Sequence, residues 1–435
     1  MWRTVSFVER VEVEFSGNLL NQAMVLGDVD NDKYNELVVG NIDGDLSVFK
    51  GSSVTPWRKT SDLGMITCIG LGDICNKGKN NLVCLTAEGW CYIFDIRPEG
   101  SIEFLREDES DIDIRILKPA YTQHLPANGK VMLIADTDGD GQTELVVGYS
   151  DRVVRTFRWQ SGVDSDAYST GQFIQHQKWQ LAGQIGSMTV NSCGEGKPQL
   201  LASQPGGTLV TLLQGTNIRM EQPHVDHSEE STQQSFVYHP LGSCRARNKE
   251  VSTVIVGGIK RERKQEDDKA SSFYALATLD GSLVLVQSDK TESDKIVWSL
   301  QVDHQLFSLH KLDVTGNNRE EVVCCSWDGQ TYIVNHSREV VRYQFEENVA
   351  AFSAGFFALP DQGNVPCFVY ATFNNRIYIY YNINLPEVES TNLLTVMGRR
   401  DDTRQLLARL NIDPKRSDQL RQLYHWVLYG FHSKT

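Results

Sequence analysis

The stretch "AMVLGDVDNDKYNELVVGNIDGDLSVFK", residues 23–50, decides the fold. It holds two short apolar runs, AMVLG and ELVVG, on either side of an acidic loop, and then a tight Asp43-Gly44 turn that leads into an alternating run. Asp-Gly supplies the positive φ that a two-residue hairpin turn demands, so the runs around it read as paired strands. The turn-then-strand pattern recurs at Glu88 (EGWCYIFD), Ser150 (SDRVVRTF), Pro205 (PGGTLVTLL), Asp280 (DGSLVLVQ), Asp328 (DGQTYIVN) and Asn374 (NNRIYIYY). With Asp43 that makes seven units. A short apolar strand is expected before each turn, in order ELVVG, NLVCL, ELVVG, QLLAS, TVIVGG, EVVCC and CFVYATF. Where the spacing is undisturbed it matches the roughly 40 to 50 residues of a four-stranded propeller blade.

The expected fold is therefore all-β: a seven-bladed β-propeller over residues 1–385, with a helical extension over 386–435. The last unit runs into "NINLPEVESTNLL", where Pro386 and a helical pattern leave no fourth strand. "VSFVERVEVEF", residues 5–15, stands before the first unit as a strand without a partner of its own. Placing it as the outer strand of the seventh blade closes the ring. Two polar stretches, 222–235 and 260–272, read as loops; opposite charges follow each other in the second, which fits a solvated segment better than a docking patch. In the extension, "DDTRQLLARL" opens with an Asp cap, and Leu420, Leu423, Tyr424, Val427 and Phe431 recur at helical spacing. These are amphipathic helices that either pack on the propeller or insert into a partner.

Composition narrows the function classes. The chain has 435 residues, 40% hydrophobic and 23% charged, with a net charge of -14. So acidic a protein lacks the clustered positive surface that nucleic acid or anionic lipid requires. No stretch approaches the roughly 18 apolar residues of a membrane helix. The N-terminus alternates charged and apolar residues too quickly for a signal peptide, so a cytoplasmic location is expected. Nine cysteines form no CxxC pair, and Cys84, Cys91, Cys324, Cys325 and Cys367 lie in apolar runs, so zinc and thiol redox chemistry are not indicated. One sequon, Asn335 to Ser337, is no more than chance supplies.

The acidic loop carries the chemical signal. Asp28, Asp30, Asp32 and Glu36 stand at loop positions 1, 3, 5 and 9, and Asp136, Asp138, Asp140 and Glu144 repeat the spacing in "ADTDGDGQTELVVG". With a backbone carbonyl at position 7 (Tyr34 or Gln142), these oxygens can converge on one hard cation, and calcium suits six to eight oxygens in flexible geometry. The strand-like flanks and the glutamate at position 9 set the loop apart from an EF-hand. A structural calcium ion is the expectation, with solvated acidic turns as the other reading. The sixth unit keeps Asp313, Thr315, Asn317 and Glu321 with fewer charges; the second, with Cys75, Lys77 and Asn81, has lost the set.

No catalytic constellation accompanies it. There is no GxSxG elbow and no HExxH; "GDICNKGK" lacks P-loop spacing, and His224 and His227 have no third ligand. A non-enzymatic protein with no catalytic cofactor is expected.

The paired acidic segments resemble the FG-GAP repeats of integrin alpha subunits, whose seven-bladed propellers carry calcium in such loops. The set "EFSG", "GDVDND", "CNKGKN", "AEGW", "DGDG", "ELVVGYSDRVVR", "VDHQLF", "LDVTGN" and "WDGQTYI" is more similar to the integrin-alpha FG-GAP repeat-containing protein 2 family. That resemblance implies a scaffold subunit of the KICSTOR complex, alongside kaptin and the seizure-threshold-two protein. Such a subunit would help hold the Rag-directed GTPase-activating complex at the lysosomal surface and restrain TOR signalling when nutrients are short. The integrin likeness alone would imply instead a ligand-binding or adhesion propeller.

Overall fold

The computed structural model describes residues 3–98, 116–162, 171–193, 197–213, 236–240, 250–261, 272–288, 294–388, 400–413 and 416–430. The strands form seven separate sheets. In blade 1, Met24–Gly27, Glu36–Gly40, Leu46–Phe49 and Arg58–Thr60 pair antiparallel in chain order. Blades 2 to 5 repeat this meander over 66–124, 129–180, 188–240 and 253–301, and blade 6 over 306–344. The first strand of each blade abuts the first strand of the next, and the series closes where Val349–Leu359 of blade 7 meets Met24–Gly27. The fold is the expected seven-bladed all-β propeller.

Closure comes from the N-terminus. Arg10–Glu14 is the fourth strand of blade 7, antiparallel to Arg376–Tyr381, with Val13 opposite Ile377. The same segment reaches further: Arg3–Thr4 pairs parallel with Val340–Gln344 on the outer edge of blade 6. One chain end thus ties two blades together.

The continuous apolar runs have a physical reason. A blade is covered on both faces, so its central strand is buried throughout, as Glu36–Gly40 is. Leu37 and Val39 face blade 7, while Val38 faces Ile66, Ile69 and Leu82 of blade 2. Seven such clusters fill the seven inter-blade gaps. Each fully buried Leu, Ile or Val in them contributes about 1.5–3 kcal/mol.

One strand differs from the sequence reading. Thr253–Ile259 is the first strand of blade 5; the strand that enters the Asp280 turn is Ser272–Thr278. Both runs are apolar, and the polar stretch between them hid the second from a reading by local pattern. That stretch, like 222–235, falls largely outside the described residues.

Two helices follow the propeller, α1 (Asp401–Arg409) and α2 (Ser417–Tyr429). Asp401 and Asp402 in the first turn of α1 and Arg409 in its last complement the helix dipole. Leu407 is buried, but Tyr424, Trp426, Val427, Leu428 and Tyr429 of α2 are exposed. The apolar face of α2 therefore does not pack on the described propeller surface. Among the described residues no helix is long and apolar enough to cross a membrane.

Candidate functional site

The acidic motif lies on the loop joining the first and second strands of a blade, at 28–36 in blade 1 and 136–144 in blade 3. Its relatives lie at 73–81 in blade 2 and 313–321 in blade 6. All four loops share one backbone shape. Positions 4 and 6 are left-handed in each: Asn31 (φ 66°) and Lys33 (76°), Asn76 (54°) and Gly78 (73°), Gly139 (81°) and Gly141 (84°), Gly316 (69°) and Asn318 (62°). The aspartate at position 1 holds this shape by accepting backbone N–H groups on both carboxylate oxygens. Asp28 accepts from Asp32 (3.1 Å) and Lys33 (2.9 Å), and Asp73 from Lys77 (2.8 Å) and Gly78 (2.6 Å). Asp136 accepts from Gly139 (2.6 Å) and Gly141 (2.9 Å), and Asp313 from Gly316 and Asn318, both 2.7 Å. Blade 2 keeps the aspartate and the shape although its other loop positions carry no carboxylate. The aspartate at position 1 is thus a turn builder.

The remaining carboxylates of blade 1 converge as the spacing requires, but on a side chain. Lys50 Nζ lies 2.6 Å from Asp30 Oδ2, 2.7 Å from Asp32 Oδ2 and 3.0 Å from Glu36 Oε1. The outward oxygens take backbone N–H groups: Asp30 Oδ1 from Asp32, Asp32 Oδ1 from Tyr34 and Glu36 Oε2 from Val29. The Trp57 ring, its centroid 4.8 Å from Nζ, covers the ammonium. The 3.0 Å contact to Glu36 Oε1 is the longest of the three and the least well directed. Burial pushes the Glu36 carboxyl up to about 7, against its bond from Val29 and the nearby ammonium. Burial opposes the charge on Lys50 too, but Asp30, Asp32 and Glu36 outweigh it and hold the ammonium protonated above its ordinary range.

Blade 3 repeats the arrangement with arginine. Arg158 Nη2 sits 2.5 Å from Asp138 Oδ2, 2.8 Å from Asp140 Oδ2 and 2.6 Å from Glu144 Oε1, and Nε adds a 2.7 Å bond to the same glutamate oxygen. Glu144 Oε2 takes the Thr137 N–H and hydroxyl. Sheet register explains the match. Leu37 pairs with Phe49 and Leu145 with Phe157, so one step outward Glu36 faces Lys50 and Glu144 faces Arg158. The same step places Asn335 opposite Glu321 in blade 6, and Asp95 opposite Asn81 in blade 2. Burial pushes the Glu321 carboxyl up to about 7, as it does that of Glu36.

One oxygen from each of Asp28, Asp30 and Asp32 lies within 4.8 Å of the others, as do oxygens of Asp136, Asp138 and Glu144. Convergence alone would suit calcium. As arranged, however, the donors do not fit the ion: a cationic nitrogen, 2.6–3.0 Å from the oxygens at positions 3, 5 and 9, fills the point on which they converge. Sequence reasoning overlooked Lys50 and Arg158. The signal was present as a basic residue fourteen positions after each glutamate.

The loops also join blades. Asn80 N–H donates to Asn31 Oδ1 (2.7 Å), Thr143 N–H to Asn76 Oδ1 (2.7 Å) and Asn35 N–H to Asn364 Oδ1 (2.8 Å). Blade 7 is thereby clipped to blade 1, blade 1 to blade 2 and blade 2 to blade 3.

Two other polar constellations bear on catalysis. His310 Nε2 lies 3.0 Å from both Ser308 Oγ and the Phe352 carbonyl. Ser308 is 1% exposed, out of a substrate's reach, and burial pushes the His310 imidazole down to about 4. At the blade 6 turn, Asp328 bonds His304 Nδ1 (2.6 Å) on one oxygen and the Ser326 hydroxyl on the other. A nucleophilic triad needs histidine in the middle; here aspartate is, and Ser326 is fully buried. Asn335 of the sequon spends its Nδ2 on Glu339 and the Val388 carbonyl, so its amide is committed within the fold.

Comparisons with known proteins agree with this fold. A family model described as "Integrin-alpha FG-GAP repeat-containing protein 2" matches residues 50–385. A Mus musculus relative named "KICSTOR complex protein ITFG2" is 46% identical over 433 residues, covering 98% of this chain and 96% of the relative. A Bos taurus relative of the same name is 46% identical over 406 residues, covering 91% of this chain and 74% of the relative. Among solved structures, BBS1N in complex with ARL6DN, soaked with mercury, aligns with a TM-score of 0.56 at 15% identity, covering 87% of this chain and 97% of that one. Chaetomium thermophilum Raptor aligns with a TM-score of 0.52 at 10% identity, covering 90% of this chain and 29% of that one. These two likenesses concern the fold alone.

Proposed function

The chain belongs to the integrin-alpha FG-GAP repeat-containing protein 2 family, and from that membership we propose that it is a non-enzymatic scaffold subunit of a KICSTOR complex. The observation that carries the reading is the 46% identity to a relative of that name, sustained over 98% of this chain. With kaptin and the seizure-threshold-two protein as companions, the subunit helps place the Rag-directed GTPase-activating complex at the lysosomal surface and restrains TOR signalling under amino-acid or glucose limitation. Two arrangements fit this role: Ser308 is out of a substrate's reach, and the Asp328 turn is a structural brace.

A scaffold needs a rigid body with an accessible face. The ring closure and inter-blade clips supply the first. For the second, the turns between second and third strands place exposed carboxylates at Asp43, Glu88, Asp151, Asp280 and Asp328. Beside them stand Trp90, Trp327 and Phe373, exposed by 42%, 47% and 61%. A cleft of about 500 Å³ runs between Trp327, Phe373, Asp303 and His304. Aromatic anchors with Asp303 and Asp328 beside the cleft suit a basic partner segment.

The test is co-purification of the tagged chain with kaptin and the seizure-threshold-two protein from co-expressing cells. Wild type retains both stoichiometrically; the Trp327→Ala, Phe373→Ala double variant loses them without a change in its own melting temperature. Failure of wild type to retain either companion removes the KICSTOR reading, whereas retention by the variant removes only the assigned face.

A further inference from the structure

We propose that Lys50 and Arg158 are built-in counter-ions that replace the metal ion in the acidic loops of blades 1 and 3, so that this propeller folds and assembles independently of calcium.

The inference rests on position. In each loop the oxygens at positions 3, 5 and 9 turn inward on one point while their other oxygens are tied to backbone N–H groups. At that point stands a single cationic nitrogen, within 3.0 Å of all three carboxylates in blade 1 and within 2.8 Å in blade 3. Both cations come from the cross-strand neighbour of the glutamate. They are delivered by register, not by a flexible tail.

The other two loops act as internal controls. In blade 2 the charges at the corresponding places are exchanged, with Lys77 at loop position 5 and Asp95 opposite position 9. In blade 6 the facing residue is Asn335, and positions 3 and 5 are the neutral Thr315 and Asn317. Among these four loops, three or more of positions 1, 3, 5 and 9 carry carboxylates only in the two that face a chain-borne cation. The backbone shape is common to all four and depends on the aspartate at position 1, whose oxygens are already engaged. An ion is needed neither to shape the loop nor to offset its charge.

The experiment uses the purified full-length chain, melted in EGTA and in millimolar CaCl2, with direct calcium titration by calorimetry. Wild type is expected to melt at the same temperature in both and to give no stoichiometric binding heat. Replacing the cation by Lys50→Met exposes three unpaired carboxylates. This variant is expected to melt several degrees lower in EGTA and to recover in CaCl2, having gained the site that the lysine occupied. Arg158→Lys, which keeps a cation, should remain indifferent to calcium.

A wild-type melting temperature that falls in EGTA, or a stoichiometric calcium isotherm for wild type, would overturn the proposal without any variant. Should Lys50→Met not fold, Asp28→Ala and Asp73→Ala decide in its place. Equal losses, unaffected by CaCl2, confirm a turn-building role in both loops, whereas a calcium-dependent loss confined to Asp28→Ala refutes it.

Discussion

Single residues set the local terms of this fold. His310 is a half-buried imidazole on the first strand of blade 6, facing Ser308, the Phe352 carbonyl and, through Ser308, Asn21. Its folded pKa is down at about 4, while an unfolded histidine titrates near 6.5. Between those values the unfolded chain binds the extra proton, so stability is complete above about pH 6.5 and falls as pH drops toward 4. The loss amounts to about 3 kcal/mol. Glu36 and Glu321, both raised to about 7, favour the folded state as pH falls through part of that window and oppose the slope. The difference between wild type and His310→Gln in urea melts is therefore what should isolate the histidine's contribution. A second case is Lys33, held at φ 76° with its side chain exposed. The left-handed region costs a non-glycine residue roughly 1–2 kcal/mol, part of which glycine returns as unfolded-chain entropy. Lys33→Gly is expected to stabilise by up to about 1 kcal/mol in the same assay.

The hairpin turn is the element repeated most faithfully. In blades 2, 5 and 6 its glycine has φ of 97°, 88° and 84° at Gly89, Gly281 and Gly329. A Cβ added there would meet the carbonyl of Leu125, Val302 or Phe345 at 2.3, 2.1 or 2.5 Å. Gly281→Ala should therefore cost on the order of 2 kcal/mol or more, from strained φ and a backbone clash together. Gly141, also left-handed but with open space around it, isolates the first effect. Gly141→Ala should cost about 1 kcal/mol. Comparable losses at both positions would show that the close approach of the carbonyl contributes nothing. These turns also use a hydroxyl two residues before the acid: Thr278 bonds Asp280 and Ser326 bonds Asp328. That pairing was legible as a Ser/Thr-x-Asp spacing, though its purpose emerges only when the hairpin folds the hydroxyl against the turn.

For the whole molecule, closure is the decisive property. Removing residues 1–14 deletes the fourth strand of blade 7 and the parallel strip on blade 6, leaving Ile377 and Ile379 without their cover. The truncated chain should lose its single cooperative melt, and hydrogen exchange should accelerate first in blades 6 and 7. Deleting 400–435 should leave the propeller's melting temperature unchanged, because the apolar face of α2 is exposed. An unchanged melt after removal of residues 1–14 would show that the ring does not depend on its N-terminal strand.

Blade number, the strand pairs and closure by the N-terminal strand were determined by the sequence alone, although the expected two-residue turns are longer, as between Ala277 and Leu283, with only Gly281 left-handed there. Each is written in short-range terms: strand alternation, an Asp-Gly turn, a surplus strand at one end and a deficit at the other. The carboxylate spacing brought Asp30, Asp32 and Glu36 to one point, and Asp138, Asp140 and Glu144 to another, but Asp28 and Asp136, expected among them as ligands, hold the turn by accepting backbone N–H groups. What stands at the point of convergence was decided only by tertiary structure. Lys50 and Arg158 lie fourteen residues beyond their glutamates, and no loop motif includes them; a cross-strand register, fixed by buried pairs such as Leu37 with Phe49, brings charge to charge. Likewise the strand entering the Asp280 turn was settled by pairing, since two apolar runs of equal merit flank one polar stretch. Local chemistry names the turns and strands, and only the packed sheet determines which side chain faces which.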